Sequence, residues 1–281
     1  MDMWRYYETS ADSEGYFLSD QFGREIRSSD PELVAVWRKP FVQVTNQTVN
    51  DSIESFAREQ LRVYLRSLSQ NLSKNGKLRL VNPFLEMNFS KLLQLKFAEE
   101  FFTIPDWEFR TLNYPLNDNE MVVKPIGYPM LTNGRTVFTN IISPLDLEHP
   151  FPWLFQEPII AGMDVTCVFI DGICHWYESS FERKHGAIDW RKEIQTENES
   201  SWLEIPEDSV LDLSINVRSF MSASGLKYGR LDFIRDEQGI FWFLECNVNG
   251  EFGWLDDVEE KLHLLFLDAI FKEHNSIPGL I

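Results

Sequence analysis

Apolar residues stand at Ile53, Phe56, Leu61, Leu65, Leu68 and Leu72. Most are three to four positions apart, the spacing of one helix face, and Asp51 is placed to cap the first turn. "KNGK" at 74–77 ends that run. A second helical pattern, "SKLLQLKFAEEFF", covers 90–102 and is broken by Pro105. A third covers 209–224, with Gly225 as its left-handed cap, and a last one covers 255–271.

Between the helices the pattern shortens to strands. "LRLVN", "EMVVKPIG", "WLFQEPII", "DVTCVFIDG" and "ICHWYES" are short apolar or alternating runs bounded by turn residues. Asp171-Gly172 predicts a tight hairpin between the last two. "YGRLDFIRDEQGIFWFLECN" predicts another, turned at 236–239. The loop between Gly127 and Gly134 joins two further strands. Residues 1–35 are polar and predict irregular chain, with "SSDPE" at 28–32 marking a turn. Helices interleaved with antiparallel hairpins make the fold α+β rather than doubly wound.

Candidate chemistry sits at the end of the last hairpin. "FWFLECNVNGEFGW" begins as an aromatic strand and then carries Glu245 and Asn247. With the turn centred on Glu237 and Gln238, Asp232 faces Phe243 and Glu245 is its diagonal neighbour. Alternation then puts Phe243, Glu245 and Asn247 on one face. Diagonal neighbours lie roughly 7–8 Å apart, close enough for two carboxylates to share a hard cation. Oxygen ligands without His or Cys favour magnesium over zinc. The same spacing also fits strand-end charges paired with Arg230 or Arg235, and a one-residue bulge would separate the shared face.

Lys124 ends an apolar strand just before a Gly-containing loop, a place from which a point charge can meet a phosphate. Arg183, Lys184, His185, Arg191 and Lys192 form a basic cluster that can be a solvated face or a clamp for an acyl phosphate or carboxylate. No GxxxxGK[ST] or GxGxxG occurs, which disfavours P-loop and Rossmann sites.

Composition narrows the classes further. The 281 residues include 26 basic and 44 acidic ones, a net charge of −18. So acidic a chain is a poor general binder of nucleic acid or of anionic membranes. Three cysteines, Cys167, Cys174 and Cys246, give no disulfide framework and fit a reduced, cytoplasmic setting. Cys167 and His175 fit core or structural positions. "LHLLFLDAIF" is too short to span a bilayer, and no signal-peptide pattern opens the chain.

In their order, "VWRKP", "NFSKLLQLKFAEEFFTIPD", "VVKPIG", "FQEPIIAGMDVTCVFIDG", "IDWR", "GRLDFI" and "FLECNVNGEFGWLD" resemble an ATP-grasp ligase, across most of 36–256. Within that superfamily they are most similar to the peptide maturases that make graspetides, peptides of the microviridin type with omega-ester rings. The resemblance implies an ATP-grasp fold with a reduced N-terminal region over 1–88, a central lid over 89–154 and a C-terminal subdomain over 155–281. It implies ATP and magnesium as cofactors, a leader-bearing precursor peptide as partner, and a homodimer.

Position by position, Lys91 and Lys124 resemble the lysines on the ATP phosphates. Gln156, Glu157 and Ile159 fall in the hinge that reads adenine, and Asp164 at the ribose-contacting position. Asp232, Glu245 and Asn247 match the magnesium set. Arg191 matches the arginine on the acyl phosphate, with Lys184 in the same pocket. Val248 stands where the family has proline, and Thr166 where it often has an arginine. The implied activity is ATP-dependent closure of ester or amide rings through Asp or Glu side chains. The alternatives are an intermolecular ligase of the glutamate-adding type and a nucleotide-binding scaffold without catalysis.

Overall fold

The computed structural model describes residues 7–20, 22–30, 35–37, 78–80, 89–111, 119–126, 139–143, 152–183, 202–248, 250–255 and 261–272, with scattered positions between 56 and 75. The chain divides into two units, one of Met1–Pro83 with Ser276–Ile281 and one of Phe84–Asn275.

In the first unit, β1 (Tyr7–Asp12), β2 (Gly15–Asp20) and β3 (Glu25–Arg27) form an antiparallel sheet. This corrects the expectation of irregular chain over 1–35. Every residue of β2 is half-buried, so the apolar alternation that marks a strand is missing. Local turn chemistry forms the hairpin instead. Asp12 Oδ1 accepts the amides of Glu14 and Gly15 at 2.8 and 3.2 Å. Gly15 has φ +140°, and a Cβ there would lie 2.4 Å from Ser28 Oγ, the atom that accepts Tyr16 N–H at 2.9 Å. β4 (Ala35–Trp37) and β5 (Leu78–Leu80) pair in parallel. The described positions from 63 to 72 are helical, with Leu65, Leu68 and Leu72 buried as their spacing predicts. The expected cap at Asp51 lies outside the described residues.

The described residues of the second unit form two sheets. β6 (Trp107–Arg110), β7 (Met121–Lys124), β8 (Asn140–Ile142) and β9 (Trp153–Gln156) are ordered β6-β9-β7-β8. β10 (Gly162–Ile170), β11 (Ile173–Arg183), β12 (Trp202–Ile205), β13 (Tyr228–Arg235) and β14 (Phe241–Asn247) are ordered β12-β11-β10-β13-β14, antiparallel throughout. The expected turns form. Asp171 and Gly172 take φ 44° and 89°, the positive pair that suits a twisted two-residue hairpin. Asp236 Oδ1 accepts the amides of Gln238 and Ile240 at 3.0 and 2.8 Å, and Gly239 has φ 81°. The loop over 127–134 lies outside the described residues.

Among the described residues three helices accompany these sheets: α1 (Lys91–Ala98), α2 (Leu211–Ser224) and α3 (Lys261–Lys272). A 3-10 turn, Glu207–Val210, leads into α2, and Gly225 caps it at φ 69°. Ser90 caps α1, its hydroxyl accepting Leu93 N–H at 3.4 Å. α1 stops at Ala98 rather than running to 102, where the chain tightens: Glu100 N–H bonds Phe97 O and Phe101 N–H bonds Ala98 O, each three residues back instead of four. That turn sends Phe102 into the core, where its ring stacks on Phe243 at 5.1 Å and 13°. Leu255, expected to open the last helix, lies in a turn whose amide bonds Phe252 O.

Alternation gives the five-stranded sheet two chemically different faces. Val165, Cys167, Phe169, Leu231, Phe233, Phe243 and Cys246 face one core, together with Phe102 and Phe220. The three cysteines are buried and unbridged. Val248 joins this core at 6% exposure, which accounts for an apolar residue at that position. Among the described residues no helix is long and apolar enough to cross a membrane.

Candidate active site

The opposite face of the sheet carries Thr166, Arg230, Asp232, Glu245 and Asn247, beside the buried Val168 and Ile234. The register differs from the one expected. Phe233 pairs with Phe243, but Asp232 pairs with Glu245, leaving Leu244 as a one-residue bulge. Phe243 therefore does not share a face with Glu245 and Asn247; the extra residue turns it into the core. Asp232 and Glu245 stand directly opposite each other rather than diagonally. The bulge thus brings the carboxylates closer than a regular ladder of the expected register would.

Asp232 is fully engaged. Its Oδ1 accepts Thr166 Oγ1–H at 2.8 Å and Arg230 Nε–H at 3.0 Å. Its Oδ2 accepts Arg230 Nη2–H at 3.0 Å and Asn247 Nδ2–H at 2.9 Å. Asn247 Nδ2 also donates to Glu245 Oε1 at 3.0 Å, and Lys91 Nζ lies 3.1 Å from Glu245 Oε2. Burial pushes the Glu245 carboxyl up, but the charges of Lys91 and Lys124 and the Asn247 amide outweigh it and hold the group down at about 2. Its side chain keeps 27% of its exposure, so the desolvation is partial. Burial also works against the Arg230 charge, and the neighbouring carboxylates of Asp232 and Glu245 more than restore it.

The loop after β14 fixes Arg230. Arg230 Nη1 donates to Glu251 O at 2.8 Å, its guanidinium lies 5.6 Å from the Trp254 ring centroid, and the Tyr228 hydroxyl donates to Gly250 O. A Cβ on Gly250 would lie 2.6 Å from Arg230 Cβ and 3.0 Å from Asn247 Cβ. Gly250→Ala is therefore expected to cost about 1–3 kcal/mol through overpacking, read by chemical unfolding. A variant as stable as the parent would show that the loop yields without cost.

The remaining sequence candidates are distributed as follows. Lys124 ends β7, opposite Leu154. Gln156 ends β9 at 2% exposure, and its Nε2 has no hydrogen-bond partner among the described residues. Glu157 is exposed while its backbone N–H bonds Asp106 O at 2.8 Å, and Ile159 is half-buried just beyond. Asp164 sits at an irregularity between β10 and β11 and pairs with Ile234 on β13. Lys184 and Arg191 lie outside the described residues. Thr166, noted in the sequence only as a departure, is a partner of Asp232. Gln94 was missed. Its signal is a polar residue on the buried stripe of α1, where Lys91, Gln94, Leu95 and Ala98 are spaced i, i+3, i+4 and i+7.

The donor set suits a hard cation. It offers two opposed carboxylates and an amide, whose half-turn would present oxygen in place of nitrogen. Among the described residues there is no group of three or more His, Cys, Asp or Glu side chains that could hold a metal ion. A cation here would rest on two carboxylates plus Asn247, with ligands from outside the protein, as magnesium commonly does.

No family model matches the chain, and no curated protein does. Solved structures do. A RiPP-associated ATP-grasp ligase from Chryseobacterium gregarium, in complex with ADP and a leader and core peptide, matches at TM-score 0.68 and 18% identity, over 95% of this chain and 84% of that one. Macrocyclase MdnC from Microcystis aeruginosa, bound with precursor peptide MdnA, matches at TM-score 0.72 and 17% identity, over 95% and 88%. The ATP-grasp ligase PsnB, complexed with minimal precursor, Mg and ADP, matches at 0.58 and 16%, over 94% and 85%. The fold is the ATP-grasp fold, as the sequence resemblance implies.

Proposed function

We propose that this chain is an ATP-dependent peptide ligase. It activates Asp or Glu side-chain carboxylates of a ribosomally made, leader-bearing precursor and closes ester or amide rings. One observation carries the reading: Lys91, Asp232, Glu245 and Asn247, from three separate elements, converge within 3.1 Å contacts on one face of the sheet. The fold shared with ligases crystallised with precursor peptides, ADP and Mg supports it.

The chemistry needs no side-chain nucleophile. A substrate carboxylate oxygen attacks the γ-phosphorus of ATP, the bond to the bridging oxygen breaks, and ADP leaves. A substrate hydroxyl or amine then attacks the acyl carbon, loses its proton and expels phosphate. The peptide loses one water per bond, and ATP becomes ADP and phosphate. Lys91 and Lys124 supply positive charge to the phosphates as point charges. Magnesium held by Asp232, Glu245 and Asn247 would supply further charge neutralisation between phosphates. The buried Gln156 Nε2 is a donor without an acceptor among the described residues, a fit for a ring nitrogen of adenine; Glu157 and Ile159 offer the adjoining backbone, and Asp164 the ribose contact. Arg191 and Lys184 are proposed to neutralise the acyl phosphate. The protein's contribution is positioning and electrostatics.

Incubation with ATP, magnesium and the precursor peptide is expected to yield ADP and a product lighter by one water per ring, read by mass spectrometry. ADP formed only when a free amino acid is added, with a product heavier than the peptide, would replace this reading with the intermolecular ligase. Absence of any ATP turnover would leave the nucleotide-binding scaffold.

A further inference from the structure

Among the described residues β14 is the last strand of its sheet, with no strand paired along its outer edge in that sheet. An uncovered edge presents backbone N–H and C=O groups that need partners. Among the described residues, two amides of this edge find partners outside the sheet. Phe243 N–H bonds Thr103 O at 2.9 Å. Cys246 N–H bonds the side-chain Oε1 of Gln94 at 3.0 Å, and Gln94 Nε2 donates to Phe89 O at 3.0 Å. Gln94 is 6% exposed. Both ends of its amide are thus satisfied by backbone, one partner just before α1 and the other between Glu245 and Asn247.

The location matters more than the bond count. Cys246 is flanked in the chain by the two β14 residues of the site, and Lys91 lies one helical turn before Gln94 on the same face of α1. A single side chain therefore ties the strand carrying Glu245 to the helix whose lysine meets Glu245 Oε2 at 3.1 Å. Lys91 is a long side chain, 36% exposed, and such a pair loses entropy unless its two backbones are held.

We infer that Gln94 is the positioning residue of the nucleotide site: it clamps the β14 edge to α1 and so holds Lys91 against Glu245. It touches no substrate; it acts through these two groups. The inference rests on the proposed nucleotide site for its functional readout, and on Lys91 alone for its structural one.

The test uses the full chain with Gln94→Met, which keeps the volume and removes both hydrogen bonds, and Gln94→Asn, whose shorter amide cannot reach both partners. Two readouts are taken that loss of packing alone leaves in place. One is the labelling rate of the Lys91 amine by an amine-reactive reagent, followed by mass spectrometry. The other is affinity for magnesium-ADP by calorimetry. Loss of the buried clamp is expected to raise Lys91 labelling and to weaken magnesium-ADP by about tenfold. In a Lys91→Met background the same Gln94 change should weaken binding less than about twofold, since residues acting through one contact are not additive.

Unchanged Lys91 labelling in folded variants overturns the inference. So does unchanged affinity, or losses that multiply independently of Lys91. A parent protein that fails to bind magnesium-ADP refutes the proposed function instead, and the labelling readout then still decides whether the clamp exists. If Gln94→Met does not fold, Gln94→Asn decides both.

Discussion

Glu245→Gln is expected to lower ATP turnover by roughly a thousandfold, the scale seen when a fixed electrostatic contact to a reacting group is removed. The fold should persist. The amide retains the shape of the carboxyl, Asn247 still meets Oε1, and Lys91 is exposed enough to be solvated without its partner. The variant removes one of two opposed carboxylates and the acceptor for Lys91 in a single atom change. Steady-state ADP release together with the unfolding midpoint checks both halves. A fully active variant would remove Glu245 from any metal role. One acid-range consequence accompanies this. The Glu245 carboxyl is held at about 2 against its ordinary 4.5, so the folded state favours the ionised form. Its contribution to stability is complete above about 4.5 and fades as pH falls toward 2. Glu245→Gln should flatten that part of the stability profile.

Phe220→Ala is expected to have the largest effect on stability, a loss of about 3–5 kcal/mol. Phe220 is wholly buried on α2. Its ring lies 5.4–5.9 Å from those of Phe89, Phe97, Phe101, Phe102 and Phe243. Five neighbours in fixed tilted or edge-on contacts leave little room for collapse into the vacated space. Urea unfolding with linear extrapolation measures the change. A loss below about 1 kcal/mol would mean that the cluster repacks freely. The same variant also tests how the core supports the site. Phe243 packs on Phe220 and lies two residues before Glu245, so magnesium-ADP affinity should fall in the folded fraction as well.

What the sequence made legible was chiefly local. Asp171-Gly172, Gly225 and the 236–239 turn act through their own φ preferences and side-chain caps, so they need no knowledge of the rest of the chain. The polar tip of β14 and its partner Asp232 were likewise readable, because Glu245 and Asn247 interrupt an aromatic strand. The register was not. A bulge depends on which residues the partner strand presents, and alternation alone cannot reveal the extra residue at Leu244. The first sheet was hidden for another reason: β2 has no buried face to imprint a pattern. Arg230 was visible only as one of two possible counter-ions. Its bidentate hold on Asp232 is set by the returning loop at Gly250–Glu251, which sequence spacing does not disclose.

The bulge at Leu244 makes β14 two short strands out of phase. Up to Phe243 the stem obeys one alternation, and from Glu245 the tip obeys the other. The two segments can therefore vary in length with unequal consequences. One residue gained or lost within the stem can be absorbed by sliding the irregularity, with the tip left in register against Arg230 and Asp232. One residue gained or lost between Glu245 and Asn247 has no such buffer, and would rotate one of the two side chains to the aromatic side. Insertions and deletions in related chains should accordingly collect before Leu244 and be absent from the three residues that follow it.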